Sequence, residues 1–200
     1  MSTPAIPPTA DLCIARHGET DWNTAGILQG WIDVPLNERG RVQARELAVS
    51  LEGAGLQRIY TSPLARASET AAIIAQHLGL TPPESREGLK ERHFGIFQGV
   101  PKEELALSNP VLCRQIIERN PAAHFDQGET VDEFADRLLA TIGEIADECA
   151  GVRALLIIHG WAIDVVSRHV QGLARTAVLP RKPKNIDCVW LHAATAFPRS

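Results

Sequence analysis

Leu12-Cys13-Ile14-Ala15 runs directly into Arg16-His17-Gly18-Glu19-Thr20. Four consecutive apolar residues read as a buried strand, so the charged pair falls where that strand leaves the core. In an open α/β sheet this edge is where ligands bind. An imidazole there can act as a nucleophile, a general base or a metal ligand, and the adjacent guanidinium favours an anionic, phosphorylated substrate. A solvated Arg-His pair closing a strand accounts for the same residues, and the pentapeptide alone does not choose between the two.

A second strand end has the same character. Ala154-Leu155-Leu156-Ile157-Ile158 is apolar throughout, as a central parallel strand is, and it stops at His159-Gly160. Arg58-Ile59-Tyr60-Thr61 predicts another strand. Ser62-Pro63 then reads as the N-cap and first turn of a helix in which Leu64, Ala67, Ala71, Ile74 and Leu78 keep helical spacing up to Gly79. Arg66 stands in that first turn, where the macrodipole disfavours a cation. An anion shared with the helix N-terminus explains it better than an isolated surface arginine does. Strands alternating with helices predict an α/β fold, a three-layer sandwich with a central, mainly parallel sheet flanked by helices.

The remaining elements fill in around these edges. Gly18 to Leu36 is a long stretch without clear periodicity, and loops of that length in compact domains are usually functional. Its Trp22 and Trp31 either line a pocket or pin the loop to the surface. Asn37 caps a helix with Val42, Leu47 and Leu51 on its inner face, ended by Gly53 and Gly55. Thr81 to Arg86 reads as a proline-bearing connector, and Glu91, taken by itself, as a surface carboxylate. Pro101 to Asn120 predicts one or two short helices. Thr130-Val131-Asp132-Glu133 is a capping box opening a helix with Val131, Phe134, Leu138, Ile142 and Ile145 inward. Ile186 to Leu191 predicts a last strand, after a basic loop Arg181-Lys182-Pro183-Lys184 read as solvated.

Composition bounds the function. A chain of 200 residues fills one core, so a single domain is expected over residues 11–200, after a loose tail, Met1 to Ala10, that carries Pro4, Pro7 and Pro8. A formal net charge of -4 argues against nucleic-acid or acidic-membrane partners and requires any phosphate site to be local. The tail has neither a basic segment nor a long apolar one, and no apolar run approaches the roughly 20 residues needed to span a bilayer. A cytoplasmic location is expected. Cys13, Cys113, Cys149 and Cys188 show no C-x-x-C or zinc spacing and read as reduced core thiols. Neither a metal nor a cofactor is expected, since no HExxH accompanies the strand-end histidines.

Placed together, these motifs resemble the histidine phosphatase superfamily, the phosphoglycerate-mutase-like proteins, over Leu12 to Val189. The likeness rests on Arg16 to Thr20, Ser62-Pro63-Leu64-Ala65-Arg66, Leu89-Lys90-Glu91-Arg92, Gly128-Glu129-Thr130 and His159-Gly160. It implies that His17 is a nucleophile accepting the phosphoryl group on a ring nitrogen, the other nitrogen being held by a backbone carbonyl near Gly18. It further implies that Arg16, Arg66 and His159, with Gly160 beside them, form the phosphate pocket, that Glu91 is the proton donor, and that Asn23 and Gln29 help hold phosphate or substrate. The implied activity is metal-independent phosphomonoester hydrolysis on a small-molecule substrate, with a homodimer allowed.

Two departures qualify the resemblance. Trp161 follows His159-Gly160 where many relatives have a small residue, which predicts a bulkier pocket wall. The stretch between Gly99 and Gly128 is short and lacks the basic, proline-rich insertion of cofactor-dependent phosphoglycerate mutases, so water should reach the phosphoenzyme and hydrolysis is favoured over mutase activity. A catalytically silent phospho-ligand binder is the rival from another class.

Overall fold

The computed structural model describes residues 11–180 and 183–197. The expected tail and the first two residues of the basic loop lie outside them. Five strands form one sheet: β1 (Leu12–Arg16), β2 (Leu56–Thr61), β3 (Glu84–Ser85), β4 (Arg153–Ile158) and β5 (Cys188–Leu191). Their order is β3-β2-β4-β1-β5, and all neighbours are parallel except β1 with β5. β4, apolar from Ala154 to Ile158, is therefore central, as that run predicts. Successive strand side chains point to opposite faces. Leu12, Ile14, Leu156 and Ile158 accordingly join one buried cluster with helices α5 (Pro110–Glu118), α6 (Val131–Glu148) and α7 (Gly160–Val170). Cys13, Ala15, Leu155 and Ile157 join another with α2 (Glu38–Ser50) and α3 (Ala65–Leu78). These are the three layers. Helices α1 (Asp21–Thr24), α4 (Lys102–Ser108) and α8 (Ala193–Ala196) complete the set.

Several boundaries differ from the sequence reading, each for a local reason. Helix α3 begins at Ala65, not at Pro63, and Ser62 is not its N-cap. The Ala65 N–H instead donates to the carboxylate of Asp33, 2.6 Å away, a cap supplied by the loop after β1. That loop is less irregular than expected. Thr20 and Asn23 close a capping box around α1, which a search for long apolar periodicity misses. The Thr81 to Arg86 connector contributes β3, and the last strand starts at Cys188 because Ile186 adopts a positive φ of 58° that no strand accommodates. The inner face of α2 is Gly40, Ala44, Leu47 and Ala48, with Val42 only half-buried. The loop after β1 lies against the start of that helix, and a Cβ on Gly18 would stand 2.5 Å from the Gly40 carbonyl oxygen.

Helix α6 matches its reading in its capping box, with Thr130 and Glu133 exchanging bonds, and buries Phe134, Leu138, Ile142 and Ile145, while Val131 in its first turn is only half-buried. The four cysteines are free, three of them buried and Cys188 half-buried. Among the described residues no helix is long and apolar enough to cross a membrane.

Candidate active site

Parallel pairing of β1 with β4 places Arg16 opposite Ile158, so the residues that follow, His17 and His159, leave the sheet side by side. Their rings lie 5.2 Å apart between centroids. The His17 amide continues the ladder to the Ile158 carbonyl at 3.1 Å, and its Nδ1 lies 2.6 Å from the Gly18 carbonyl oxygen. A carbonyl can only accept, so Nδ1 carries the proton and Nε2 keeps its lone pair. Among the proposed roles, this bond favours the nucleophile.

The cations come from both flanks. Ser62, at the end of β2, bonds to the Ile157 carbonyl, and α3 then delivers Arg66 at its second position. Arg66 is only 1% exposed, which removes the surface-arginine reading, and its guanidinium donates to the carbonyls of Gly30 at 2.8 Å and Ile32 at 3.1 Å. Arg16 donates to the Pro183 carbonyl at 3.1 Å, so the loop read as solvated touches the site through its described part. Among the described residues, Arg16 Nε, Arg66 Nε, Gln29 Oε1 and both ring nitrogens of the fully buried His159 have no partner. An unpaired buried polar group costs about 1–3 kcal/mol, so their concentration at one place points to a ligand that engages them.

Glu91 is 7% exposed, not the surface carboxylate its local sequence suggests. Its two oxygens accept the backbone N–H groups of Arg92 at 3.0 Å and Trp161 at 3.2 Å. Each oxygen retains a further lone pair, so the group can still exchange a proton. The loop that carries it is pinned by Trp31, whose indole N–H donates to the Glu91 carbonyl at 2.7 Å. Arg137 on α6 donates to the carbonyls of Gly88, Lys90 and Glu91 while gripping both oxygens of Glu129 at 2.8 Å. The Gly128-Glu129-Thr130 motif thus supports the loop of Glu91.

Arg16, His17, Asn23, Gln29, Arg66, Glu91 and Gly160 line one cleft of about 100 Å³. His159 lies against His17 just behind it. Asn23 and Gln29 also serve the loop itself, Asn23 in the α1 capping box and Gln29 through Nε2 to the Thr20 hydroxyl at 2.9 Å. Trp161 does form part of the wall, but its ring packs inward against Phe94 and Phe125. The sequence reading missed Lys102, Ile116 and Arg119, which the two-helix segment after Gly99 brings to the cleft. It also missed Asn185, which donates to the His17 carbonyl at 2.9 Å. No local pattern marks these residues, since each reaches the cleft or His17 from a segment whose docking is nonlocal. Among the described residues, no three His, Cys, Asp or Glu side chains gather as a metal site would require.

Residues 12–197 match the family model of the histidine phosphatase superfamily, branch 1. The chain belongs to that superfamily. It is 35% identical over 161 residues to the Bacillus subtilis (strain 168) protein named uncharacterized phosphatase PhoE, covering 80% of this chain and 77% of that one. Identity is 33% to the probable phosphoglycerate mutase GpmB of Cronobacter sakazakii, over 80% of this chain and 74% of that one. A solved mycobacterial glucosyl-3-phosphoglycerate phosphatase in complex with VO3 superposes with a TM-score of 0.79 at 26% identity, over 88% of this chain and 90% of that one. The fold is that of the histidine phosphatases, and the chain is a phosphatase of this superfamily, whose chemistry runs through a phosphohistidine.

The electrostatics of this histidine phosphatase suit that chemistry. Burial, reinforced by Arg66 and Arg16, holds His17 well below the usual imidazole value of 6.5. Burial and Arg66 do the same to His159. Both rings are then neutral at neutral pH, as nucleophilic attack requires. Burial lowers Arg16 and Arg66 to about 10, so both remain cationic.

Depressed histidines also carry a stability consequence. Below pH 6.5 the unfolded chain takes up protons that the folded chain refuses, so stability falls as pH drops from there toward the folded values. Asp164 opposes this, because burial raises its carboxyl to about 6 and the folded chain binds that proton first, but it is one group against two. The expected result is a melting temperature that declines below pH 6.5 and declines less steeply in His17→Ala. Parallel curves for the two proteins would show that His17 is not depressed.

Proposed function

We propose that His17 is the nucleophile of a metal-independent phosphomonoesterase formed by one catalytic domain over residues 11–200, and that Glu91 is its acid and base. The observation that carries this reading is the His17 Nδ1 to Gly18 carbonyl bond, set beside the unpaired buried nitrogens of Arg16, Arg66 and His159. Nε2 attacks phosphorus in line, the bond to the leaving oxygen breaks, and Glu91 gives that oxygen its proton. Arg16, Arg66 and neutral His159 donate to the equatorial oxygens, whose charge they stabilise without reorganising. The Glu91 carboxylate then takes a proton from water, the resulting hydroxide attacks phosphorus, and cleavage of the P–N bond frees His17 and inorganic phosphate. Asn23, Gln29 and the start of α7 at Gly160 would orient the ester on the cleft wall.

Hydrolysis is favoured over group retention by the short Gly99 to Gly128 segment, although that segment is not absent from the cleft: it supplies Lys102, Ile116 and Arg119. The test is a panel of phosphorylated metabolites assayed for phosphate release before and after thorough chelation, alongside 3-phosphoglycerate with a bisphosphoglycerate primer. Phosphate release that survives chelation, with little isomerisation, is expected. Efficient conversion to 2-phosphoglycerate with negligible phosphate release would overturn the hydrolase reading. Loss on chelation that one divalent ion restores would overturn the metal-independent one.

A further inference from the structure

A cavity of about 370 Å³ lies apart from the active-site cleft and shares no lining residue with it. Small-molecule sites usually occupy about 300–1,000 Å³. One wall is α6, where Val131, Ala135 and Leu139, spaced by four, stand on one face of the helix. That stripe lies beside the buried one of Phe134, Leu138 and Ile142, and Val131, expected in the core, opens onto the cavity instead. The facing wall comes from Val165 on α7 and from Leu173 in the segment after it.

Arg168, near the end of α7, is set into these apolar walls and is only 4% exposed. Its Nε donates to the Ala177 carbonyl at 2.6 Å, but Nη2 is buried with no partner among the described residues. Arginines are almost never so buried unless they are paired. Asp164, one turn back on α7, is the partner of Arg119 at 3.5 Å, and among the described residues no carboxylate forms an ion pair with Arg168. Burial lowers the Arg168 pKa below the usual arginine value, against the pull of Asp164, as befits a cation taken from water without a full counter-charge.

The rim limits the charge an occupant can carry. Arg175 donates to Asp132 at 3.1 Å and to Asp136 at 2.5 Å, so two carboxylates there share one guanidinium. The His169 Nε2 already donates to the Ala196 carbonyl at 2.7 Å. A dianion would meet one unpaired guanidinium and an acidic rim, whereas a monoanion needs Arg168 alone.

We propose that this cavity binds a small amphiphilic carboxylate, with its carboxylate on Arg168 and its hydrocarbon chain along Val131, Leu139, Val165 and Leu173. The site is separate from the phosphoester cleft and independent of the roles assigned to His17 and Glu91.

The test titrates the nitrogen-15-labelled protein with butanoate, hexanoate, octanoate and 1-hexanol, read by amide shifts, with excess inorganic phosphate to occupy the active site. Hexanoate should saturably shift the amides of Leu139, Val165, Arg168 and Leu173. It should bind about 10- to 100-fold more tightly than 1-hexanol, the range for a hydrogen bond to a charged group. Affinity should rise about 4-fold per methylene from butanoate to octanoate, as burial of each CH₂ requires. Arg168→Met should abolish the advantage of hexanoate over 1-hexanol. Leu139→Trp, which fills the cavity and keeps the arginine, should weaken both, and it carries the test if Arg168→Met fails to fold. Equal affinity for hexanoate and 1-hexanol would overturn the anion contact, and equal affinity for butanoate and octanoate the apolar one. Shifts confined to His17, Arg66 and Gly160 and abolished by phosphate, or no shifts at all, would overturn the site.

Discussion

His17→Ala should lower kcat by a factor on the order of 10⁴–10⁶, the scale on which removal of a covalent nucleophile acts. It also removes the phosphate that brief incubation with a labelled phosphomonoester leaves on the protein. The label on the wild-type chain should be acid-labile and base-stable, because a phosphoramidate hydrolyses when its nitrogen is protonated. The physical basis is the tautomer: with Nδ1 held by the Gly18 carbonyl at 2.6 Å, the lone pair on Nε2 is the free one, and burial beside Arg66 and Arg16 keeps the ring unprotonated. Alanine supplies no lone pair, whereas the buried cations Arg16 and Arg66, proposed to bind the phosphoryl group, remain. Binding of inorganic phosphate should therefore fall far less than turnover. Label retained at full level in the alanine variant would move the nucleophile elsewhere, and His159, 5.2 Å away, would be examined next.

Glu91→Gln should slow phosphorylation of the enzyme by about 10²–10⁴ with an alkyl phosphate, the range for general acid catalysis. An alkoxide is too basic to leave without a proton. A nitrophenolate is not, so rapid-quench phosphorylation with nitrophenyl phosphate should suffer much less, even if hydrolysis of the phosphoenzyme slows for want of a base. Glutamine keeps the shape of the carboxylate, but it faces two backbone N–H groups, those of Arg92 and Trp161, and only one of its terminal atoms accepts. A thermal melt must therefore accompany the kinetics. Equal losses for both leaving groups would exclude Glu91 as the acid. The alternatives nearby are already committed, Glu19 to the Asn37 side chain and Glu129 to Arg137 and the His93 amide, which strengthens the choice of Glu91.

Much of the fold was legible because its decisive features are local. The apolar runs of β1 and β4, the capping box of α6 and the glycine that stops α3 declare themselves within a few residues. Short-range misreadings arose where a distant group took over a local task. Asp33 caps α3 in place of Ser62, and the positive φ of Ile186 delays β5.

The candidate site divides along the same line. The sequence by itself determined which strand ends carry Arg16, His17 and His159, since a buried strand must stop where charged and polar groups begin, and it singled out Arg66 by its unfavourable place in a helix's first turn. Only the tertiary structure decided that β1 and β4 pair in the register that sets the histidines 5.2 Å apart. It alone buried Glu91 under Trp161 and Arg137, and it alone turned Arg119 over Gly160. Register, burial and close approach arise between segments far apart in the chain. No window of neighbouring residues contains the partner that creates them.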